Sequence, residues 1–259
     1  MRRAILSVVT VVISLATTQP AGAITFGQPD GNRHPNVGAM IIRETESGDL
    51  LQWCSGSLIA PRVFLTAAHC LDNAKPRDHW VTFAPKADPE ETLIRGTAIP
   101  HPRAYCCGFN DAFDIGVIVL DRAIRGIQPV QLPAPGLLDS MKAQLRDQTF
   151  TAVGYGTRRE TMQGGPASIL ANNERRFVTQ EFQSLQKAWL TLSMNPRTGS
   201  GGTCYGDSGG PHFLGGPNSN LIISLTVTGD AVCKATDKTY RLDTAPAREF
   251  LDDFVTLAS

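Results

Sequence analysis

The sequence predicts an all-β fold, a barrel or a sandwich of short strands, and two observations support this prediction. Short apolar and β-branched runs recur between turn residues, and the chain has 24 glycines and 17 prolines among its 259 residues. So many turn residues favour short strands over long helices. The runs cover residues 37–42, 56–59, 63–67, 114–120, 149–153 and 221–227.

Helical structure is expected in two places. A proline-bearing stretch, residues 131–147, separates two strand-rich halves and should connect them, with a helical turn or two at 137–145. Near the end of the chain four apolar residues fall at helical spacing: Phe250, Leu251, Phe254 and Val255. Asp243 and Thr244 precede this helix and are expected to cap it. The sequence has no internal repeat, and its length suits one all-β unit.

The first 23 residues have the pattern of a secretory signal peptide. Arg2 and Arg3 form the charged start, residues 4–16 the apolar stretch, and Ala-Gly-Ala at 21–23 the cleavage site. The alternative is a signal anchor that stays attached. We expect cleavage of the signal peptide and therefore an extracellular protein. No membrane association is expected after cleavage, because no later segment has the composition of a membrane helix.

Charge gives no sign of a nucleic-acid partner. The chain has 24 basic and 24 acidic residues, and removing residues 1–23 takes away two arginines and no acid. The remaining balance of about two negative charges gives no reason to expect nucleic acid or an anionic membrane as a partner. An acidic loop at residues 88–91, with Asp88, Glu90 and Glu91, leaves calcium binding open, but a solvated loop is preferred and no metal or cofactor is expected.

Three short segments carry residues suited to nucleophilic catalysis. Ser208 lies in Gly-Asp-Ser-Gly-Gly-Pro at 206–211, His69 in Thr-Ala-Ala-His-Cys at 66–70, and Asp114 in Phe-Asp-Ile-Gly-Val at 113–117. A serine hydroxyl is a weak nucleophile, so it needs a base to take its proton and a third group to orient that base. Asp111 is the nearest rival to Asp114, but only Asp114 leads directly into an apolar strand.

This order of motifs resembles the chymotrypsin/trypsin family of secreted serine endopeptidases, in its bacterial type with a signal peptide. Further matches are Ile-Thr-Phe-Gly at 24–27, similar to the family's mature N-terminus, Val-Gly-Tyr-Gly at 153–156, and Ser-Leu-Thr at 224–226. The resemblance implies two antiparallel Greek-key β-barrels, an active site in the cleft between them, and a C-terminal α-helix. The implied division after the signal peptide is a first barrel at 24–130, a connection at 131–148, a second barrel at 149–243 and a helix at 244–259.

The resemblance also assigns the site residues. Ser208 attacks the substrate, His69 acts as base and then as acid, Asp114 orients His69, and the amides of Gly206 and Ser208 form the oxyanion hole. The substrate-binding residues it implies are Gly202, Thr203, Ser224, Leu225 and Thr226. A freed Ile24 amine is expected to pair with Asp207, released either by signal peptidase directly or after trimming.

The implied substrate pocket departs from the trypsin pattern. Gly202 stands where trypsin-like enzymes have an aspartate, and Thr226 where the family has glycine. We therefore expect the P1 residue, whose carbonyl is attacked, to be small or medium-sized and apolar. The residue at the pocket floor is open, so two other preferences remain. Asp237 at the floor would favour a basic P1 residue, and Lys238 would favour an acidic one.

Six cysteines in an exported chain predict disulfides. The resemblance pairs Cys54 with Cys70 and Cys204 with Cys233. The resemblance does not pair Cys106 and Cys107. Three states remain open for these two residues: a vicinal disulfide, two reduced thiols, or a bond to a partner chain. A metal site that includes His101 is a further alternative, but its spacing is unconvincing.

Three functions follow as hypotheses. The first is a monomeric secreted endopeptidase acting on proteins or peptides, with protein protease inhibitors as further partners. The second is a catalytically silent protein that uses the same fold for binding, and the third is a serine esterase or amidase.

Overall fold

A computed structural model describes residues 24–43, 48–71, 78–88, 92–105, 112–161 and 163–257. The expected signal peptide, the Cys106–Cys107 pair, Asp111 and two of the three acids of the 88–91 loop lie outside the described residues. The strands are β1 (Gln28–Pro29), β2 (Val37–Arg43), β3 (Leu50–Ala60), β4 (Val63–Thr66), β5 (His79–Thr82), β6 (Ile94–Pro100), β7 (Gly116–Leu120), β8 (Thr149–Gly154), β9 (Arg176–Leu185), β10 (Trp189–Ser193), β11 (Pro211–Leu214), β12 (Ile222–Gly229) and β13 (Thr236–Arg241).

These strands form two closed antiparallel barrels with the same topology. The first has the order β2-β3-β4-β7-β6-β5, and the second the order β8-β9-β10-β13-β12-β11, closed by pairing of β8 with β9. In each barrel three consecutive strands are followed by one that returns beside the first, which is the Greek-key arrangement. The short strand β1 adds to the edge of β9. The all-β prediction and the two-barrel expectation are confirmed.

Helices occupy the two expected places and are short. Helix α1 (Leu137–Ser140) and a 3₁₀ helix (Lys142–Asp147) lie between the barrels, and helix α2 (Ala245–Asp252) follows the second barrel. The expectation of side-chain capping by Asp243 or Thr244 is wrong: no side chain caps α2, because the Asp243 carboxylate accepts hydrogen bonds from Arg241 and from the Leu138 backbone amide. No helix among the described residues is long and apolar enough to cross a membrane.

The barrels pack together through buried polar contacts as well as apolar ones. Arg175 is fully buried and donates to Asp30 at 2.9 Å and to the carbonyl oxygens of Val37 and Phe83. Ser55 in β3 accepts a hydrogen bond from the amide of Tyr155, just after β8. A buried charge is tolerated only when it is paired and hydrogen-bonded, so these contacts fix the seam between the barrels.

Candidate active site

His69 and Asp114 come from the first barrel, at the ends of neighbouring strands. His69 lies in a 3₁₀ helix (Ala68–Leu71) just after β4, and Asp114 lies two residues before β7. Since β4 and β7 pair directly, with Thr66 opposite Gly116, their ends bring the two side chains together. The expectation that a carboxylate at the start of a buried strand meets His69 is consistent with this geometry.

The Asp114 carboxylate holds His69 at two points. Its Oδ2 lies 2.7 Å from His69 Nδ1, and its Oδ1 accepts the His69 backbone amide at 2.9 Å. Asp114 is nearly buried, whereas the His69 side chain is 37% exposed. An ionised carboxylate only accepts hydrogen bonds, so Nδ1 carries the proton and Nε2 is left as the basic nitrogen.

Ser208 reaches the same place from the second barrel, in the loop before β11. Its carbonyl oxygen accepts the Ser55 amide at 2.9 Å and lies 3.7 Å from the Sγ of Cys70, the residue after His69. Gly209 allows this close approach, because a Cβ there would lie 2.1 Å from the Thr66 hydroxyl and its φ is +77°. Ser208 itself remains partly exposed.

The amides of Gly206 and Ser208 are oriented by their neighbouring carbonyl groups. The Tyr205 carbonyl accepts the Thr157 amide at 2.7 Å, and the Asp207 carbonyl accepts the Gly210 amide at 2.8 Å. In a trans peptide the N–H points opposite to the C=O, so both orientations are fixed. Within the described part of the chain neither amide donates to a protein acceptor.

Both disulfides expected from the resemblance are confirmed. Cys54 pairs with Cys70, next to His69, and Cys204 pairs with Cys233, on the two sides of a cavity beside Ser208.

That cavity has a volume of about 270 Å³. It is lined by Ser208, by Thr203–Tyr205 on one side and by residues 226–231 and Cys233 on the other. Of the expected substrate-binding residues, Thr203 and Thr226 line it. Ser224 and Leu225 are fully buried and Gly202 does not line it, so these three lie behind the walls.

Behind the cavity lining lies a residue that sequence reasoning missed, Met194. Met194 fills the space beside Gly202: a Cβ on Gly202 would lie 2.1 Å from the Met194 Cγ. The Met194 methyl also comes within 3.5 Å of a Cβ position at Gly229, on the opposite wall. Met194 is eight positions before Gly202, and no sequence signal links the two. The absence of a side chain at Gly202 therefore does not leave an open, deep pocket.

Asp237 and Lys238, the two open candidates for the floor, are both absent from the cavity lining. The fully buried Asp237 carboxylate lies behind Thr203, with its Oδ2 3.4 Å from the Thr203 amide and 2.9 Å from Gln180 Nε2. Lys238 faces away, with its Nζ 4.3 Å from the centre of the Trp189 ring. The charged residue that does line the cavity is Asp230, whose carboxylate accepts the backbone amides of residues 234–236.

His212 lies behind the Thr226 wall. It is fully buried, its Nε2 is 2.9 Å from the Thr226 hydroxyl, and burial lowers its pKa. The neutral form of His212 is therefore favoured.

Ile24 and Asp207 are both fully buried, and both lie against the second barrel. Ile24 is fully buried against Ala152 and Val178, and the next residue, Thr25, exchanges two backbone hydrogen bonds with Gly202. Asp207 is fully buried and accepts the amides of Gly156 and Cys204. Burial raises the pKa of Asp207 to about 7, and no cation pairs with it among the described residues.

Comparison with known proteins identifies the family. The trypsin family model matches residues 26–243, so the chain belongs to the trypsin family of serine proteases. It is 27% identical to a chymotrypsin of Phaedon cochleariae over 208 residues, which cover 77% of this chain and 71% of the relative. It is also 27% identical to glucanase inhibitor protein 4 of Phytophthora infestans, over 78% of this chain and 76% of that protein.

The fold has a clear relative among solved structures. The structure of HL collagenase superposes with a TM-score of 0.63 at 18% identity, over 85% of this chain and 93% of that one.

Proposed function

We propose that this protein is a secreted serine endopeptidase that hydrolyses peptide bonds through an acyl-enzyme on Ser208. The observation that carries the proposal is the Asp114 carboxylate, which accepts both the Nδ1 proton and the backbone amide of His69 beside the Ser208 loop. A serine acts as a nucleophile when a base takes its proton and a third group orients that base, and His69 and Asp114 supply both beside the Ser208 loop.

In the first half of the proposed reaction, the Ser208 Oγ attacks the carbonyl carbon while His69 Nε2 takes the hydroxyl proton. The oxyanion that forms is stabilised by the Gly206 and Ser208 amides, which are aligned before the substrate arrives. The C–N bond then breaks, and the imidazolium gives its proton to the leaving amine. Asp114 stabilises the imidazolium throughout.

In the second half, water takes the place of the amine. His69 removes a proton from water, the hydroxide attacks the acyl carbonyl, and the C–O bond to Ser208 breaks as His69 returns the proton to Oγ. No cofactor or metal enters this cycle.

We propose that a free Ile24 amine completes the site by pairing with Asp207. The support is the burial of both residues and the antiparallel contact between Thr25 and Gly202 behind the cavity wall. A buried carboxylate without a cation is costly, and an amine entering there would remove that cost. Cleavage after Ala23 by signal peptidase would supply this amine directly.

Secretion and partners belong to the same proposal. Two disulfides suit an oxidising compartment, and the chymotrypsin relative suggests protein or peptide substrates. Protein protease inhibitors are proposed as further partners of the cavity, and the protein is proposed to act as a monomer.

The silent binding protein is the second candidate, because one relative is named as a glucanase inhibitor. The test is digestion of a mixed peptide library and a panel of simple esters by the purified protein beginning at Ile24, with Ser208→Ala as the control. Peptide cleavage that Ser208→Ala abolishes supports the endopeptidase. Cleavage of esters alone would support the esterase, and turnover of neither substrate class would support the silent protein.

A further inference from the structure

Arg159 is a buried cation without a carboxylate partner among the described residues. It is fully buried, and its neighbour Arg158 takes the nearby Glu160 carboxylate. A guanidinium has five N–H donors and always carries its charge. Burying such a group is unfavourable unless every donor is satisfied, so the contacts of Arg159 require an explanation.

All five donors of Arg159 meet backbone carbonyl oxygens. Nε donates to Thr161 at 2.8 Å, and the two terminal nitrogens donate to the carbonyls of residues 163, 164, 165 and 232 at 2.5–3.3 Å. Four of these carbonyls belong to the loop that follows Arg159 itself. The fifth, of Val232, belongs to a segment about seventy residues further along the chain.

Val232 lies in the segment that forms one wall of the cavity beside Ser208. We name residues 230–233 the wall segment; its other three residues line the cavity. Side chains tie this segment to the opposite side of the cavity: the Tyr205 hydroxyl donates to the Ala231 carbonyl at 3.0 Å, and Cys233 is joined to Cys204. The Arg159 loop supports the same wall, since the Gly164 carbonyl accepts both Arg159 and the ammonium group of Lys234.

We propose that Arg159 is a positioning residue that holds the wall segment in place, so that substrate affinity depends on a guanidinium that never touches the substrate. This inference rests on the proposed peptidase function. Without Arg159 five hydrogen bonds to backbone carbonyls are lost, including the bond to Val232 that joins the Arg159 loop to the wall segment. The His69–Asp114 pair lies in the other barrel and is untouched by this change.

The proposed role separates binding from chemistry. Arg159→Met should raise KM for a peptide with a P1 side chain about tenfold or more, while kcat stays within about twofold. The matched control is Arg158→Met, the same substitution one residue away at an exposed ion pair, which should leave both constants unchanged. Arg159→Lys keeps the charge but cannot reach five carbonyls from one nitrogen, so it should raise KM as well.

Chemical rescue guards against a variant that is simply unstable. In Arg159→Ala, millimolar guanidinium should lower KM toward the parent value, and the same addition should have no effect on Arg158→Ala. Amide hydrogen exchange followed by mass spectrometry should show faster exchange at residues 231–236 in Arg159→Ala, reversed by guanidinium.

Equal KM values for the parent and Arg159→Met, or full activity of Arg159→Lys, would overturn the positioning role. Failure of guanidinium to change either KM or exchange in Arg159→Ala would do the same. Absence of peptide turnover by the parent protein is a different outcome, because it overturns the proposed function itself.

Discussion

The two barrels share a strand order, yet they contribute to the site in different ways. The first barrel supplies His69 and Asp114 from the ends of paired strands, where the sheet itself sets their separation. The second barrel supplies the Ser208 loop and the cavity, which β12 lines in part and whose outer segment is held by side chains, a disulfide and a buried guanidinium. The first barrel therefore orients the catalytic base, whereas the second carries the nucleophile and a cavity whose outer segment, residues 230–233, lies outside the regular strands.

Because of this difference, substitutions in the two regions should affect different kinetic constants. Changes at the first barrel's strand ends should lower kcat, since they alter groups that move protons. Changes around the cavity should alter KM and the preferred P1 residue, since they move or open a wall.

The largest effect is expected from Asp114→Asn. An amide at Asp114 would favour the wrong tautomer of His69 and would not stabilise the imidazolium, so kcat should fall by about four orders of magnitude. KM should change little, because the cavity is untouched. Steady-state kinetics on the best peptide from the library measures both. A loss of less than tenfold in kcat would remove Asp114 from the catalytic machinery.

Forms with and without a free Ile24 amine should lose stability in different pH ranges. Without the amine, burial raises the pKa of Asp207 from 3.8 to about 7, so the folded state retains a proton that the unfolded state releases. The stabilisation that comes from protonated Asp207 is then complete below about pH 4 and decreases as the pH rises to about 7. A paired amine instead has a folded-state pKa above its unfolded value of about 7.7–8.0, so its contribution is lost only in alkali.

The measurement is denaturant unfolding as a function of pH, for the protein that begins at Ile24 and for one extended by two residues. The extended protein should also be less active. Identical pH profiles for the two forms would contradict the pairing of Ile24 with Asp207.

Met194→Ala and Met40→Ala form a matched pair across the two barrels. Both methionines are fully buried, so each truncation should cost about 2–5 kcal/mol of stability. Met194 packs beside Gly229, which lines the cavity, whereas Met40 lies in the first barrel, so only Met194→Ala should shift P1 preference from small and medium apolar residues toward longer ones. Cleavage profiles on the peptide library compare the two. An unchanged profile for Met194→Ala would show that Met194 does not limit the cavity depth, and rapid cleavage after arginine by the parent would contradict the apolar preference.

The smallest effect is expected from Tyr205→Phe. The Tyr205 side chain is 58% exposed and its hydroxyl donates to the Ala231 carbonyl of the wall segment. Loss of one exposed hydrogen bond should raise KM about two- to fourfold and leave kcat unchanged. A change in kcat alone would place Tyr205 in the chemistry rather than in the wall.

The same division explains what the sequence predicts well. The two-barrel fold and both disulfides follow from the family resemblance, which rests on motifs whose residues are neighbours in the chain, such as His69 and Cys70. Ser55, which hydrogen-bonds to the Ser208 loop from β3, carries no sequence signal, because its role depends on packing between barrels.

The cavity was harder to predict for the same reason. Met194 meets Gly202, and Arg159 meets Val232, only after the second barrel closes, and no spacing in the chain predicts either contact. Asp237 illustrates the error that this allows: its position in the sequence suggested the pocket floor, whereas the structure buries it behind Thr203.

If Ser208 is an activated nucleophile, it should react covalently with a serine-directed label. Intact-protein mass spectrometry after treatment with a fluorophosphonate should show a single adduct on the protein that begins at Ile24, located at Ser208 by peptide mapping. Ser208→Ala should show none, and Asp114→Asn should label far more slowly than the parent protein. A folded parent protein that takes up no label, or a Ser208→Ala variant that labels as completely as the parent, would contradict the account.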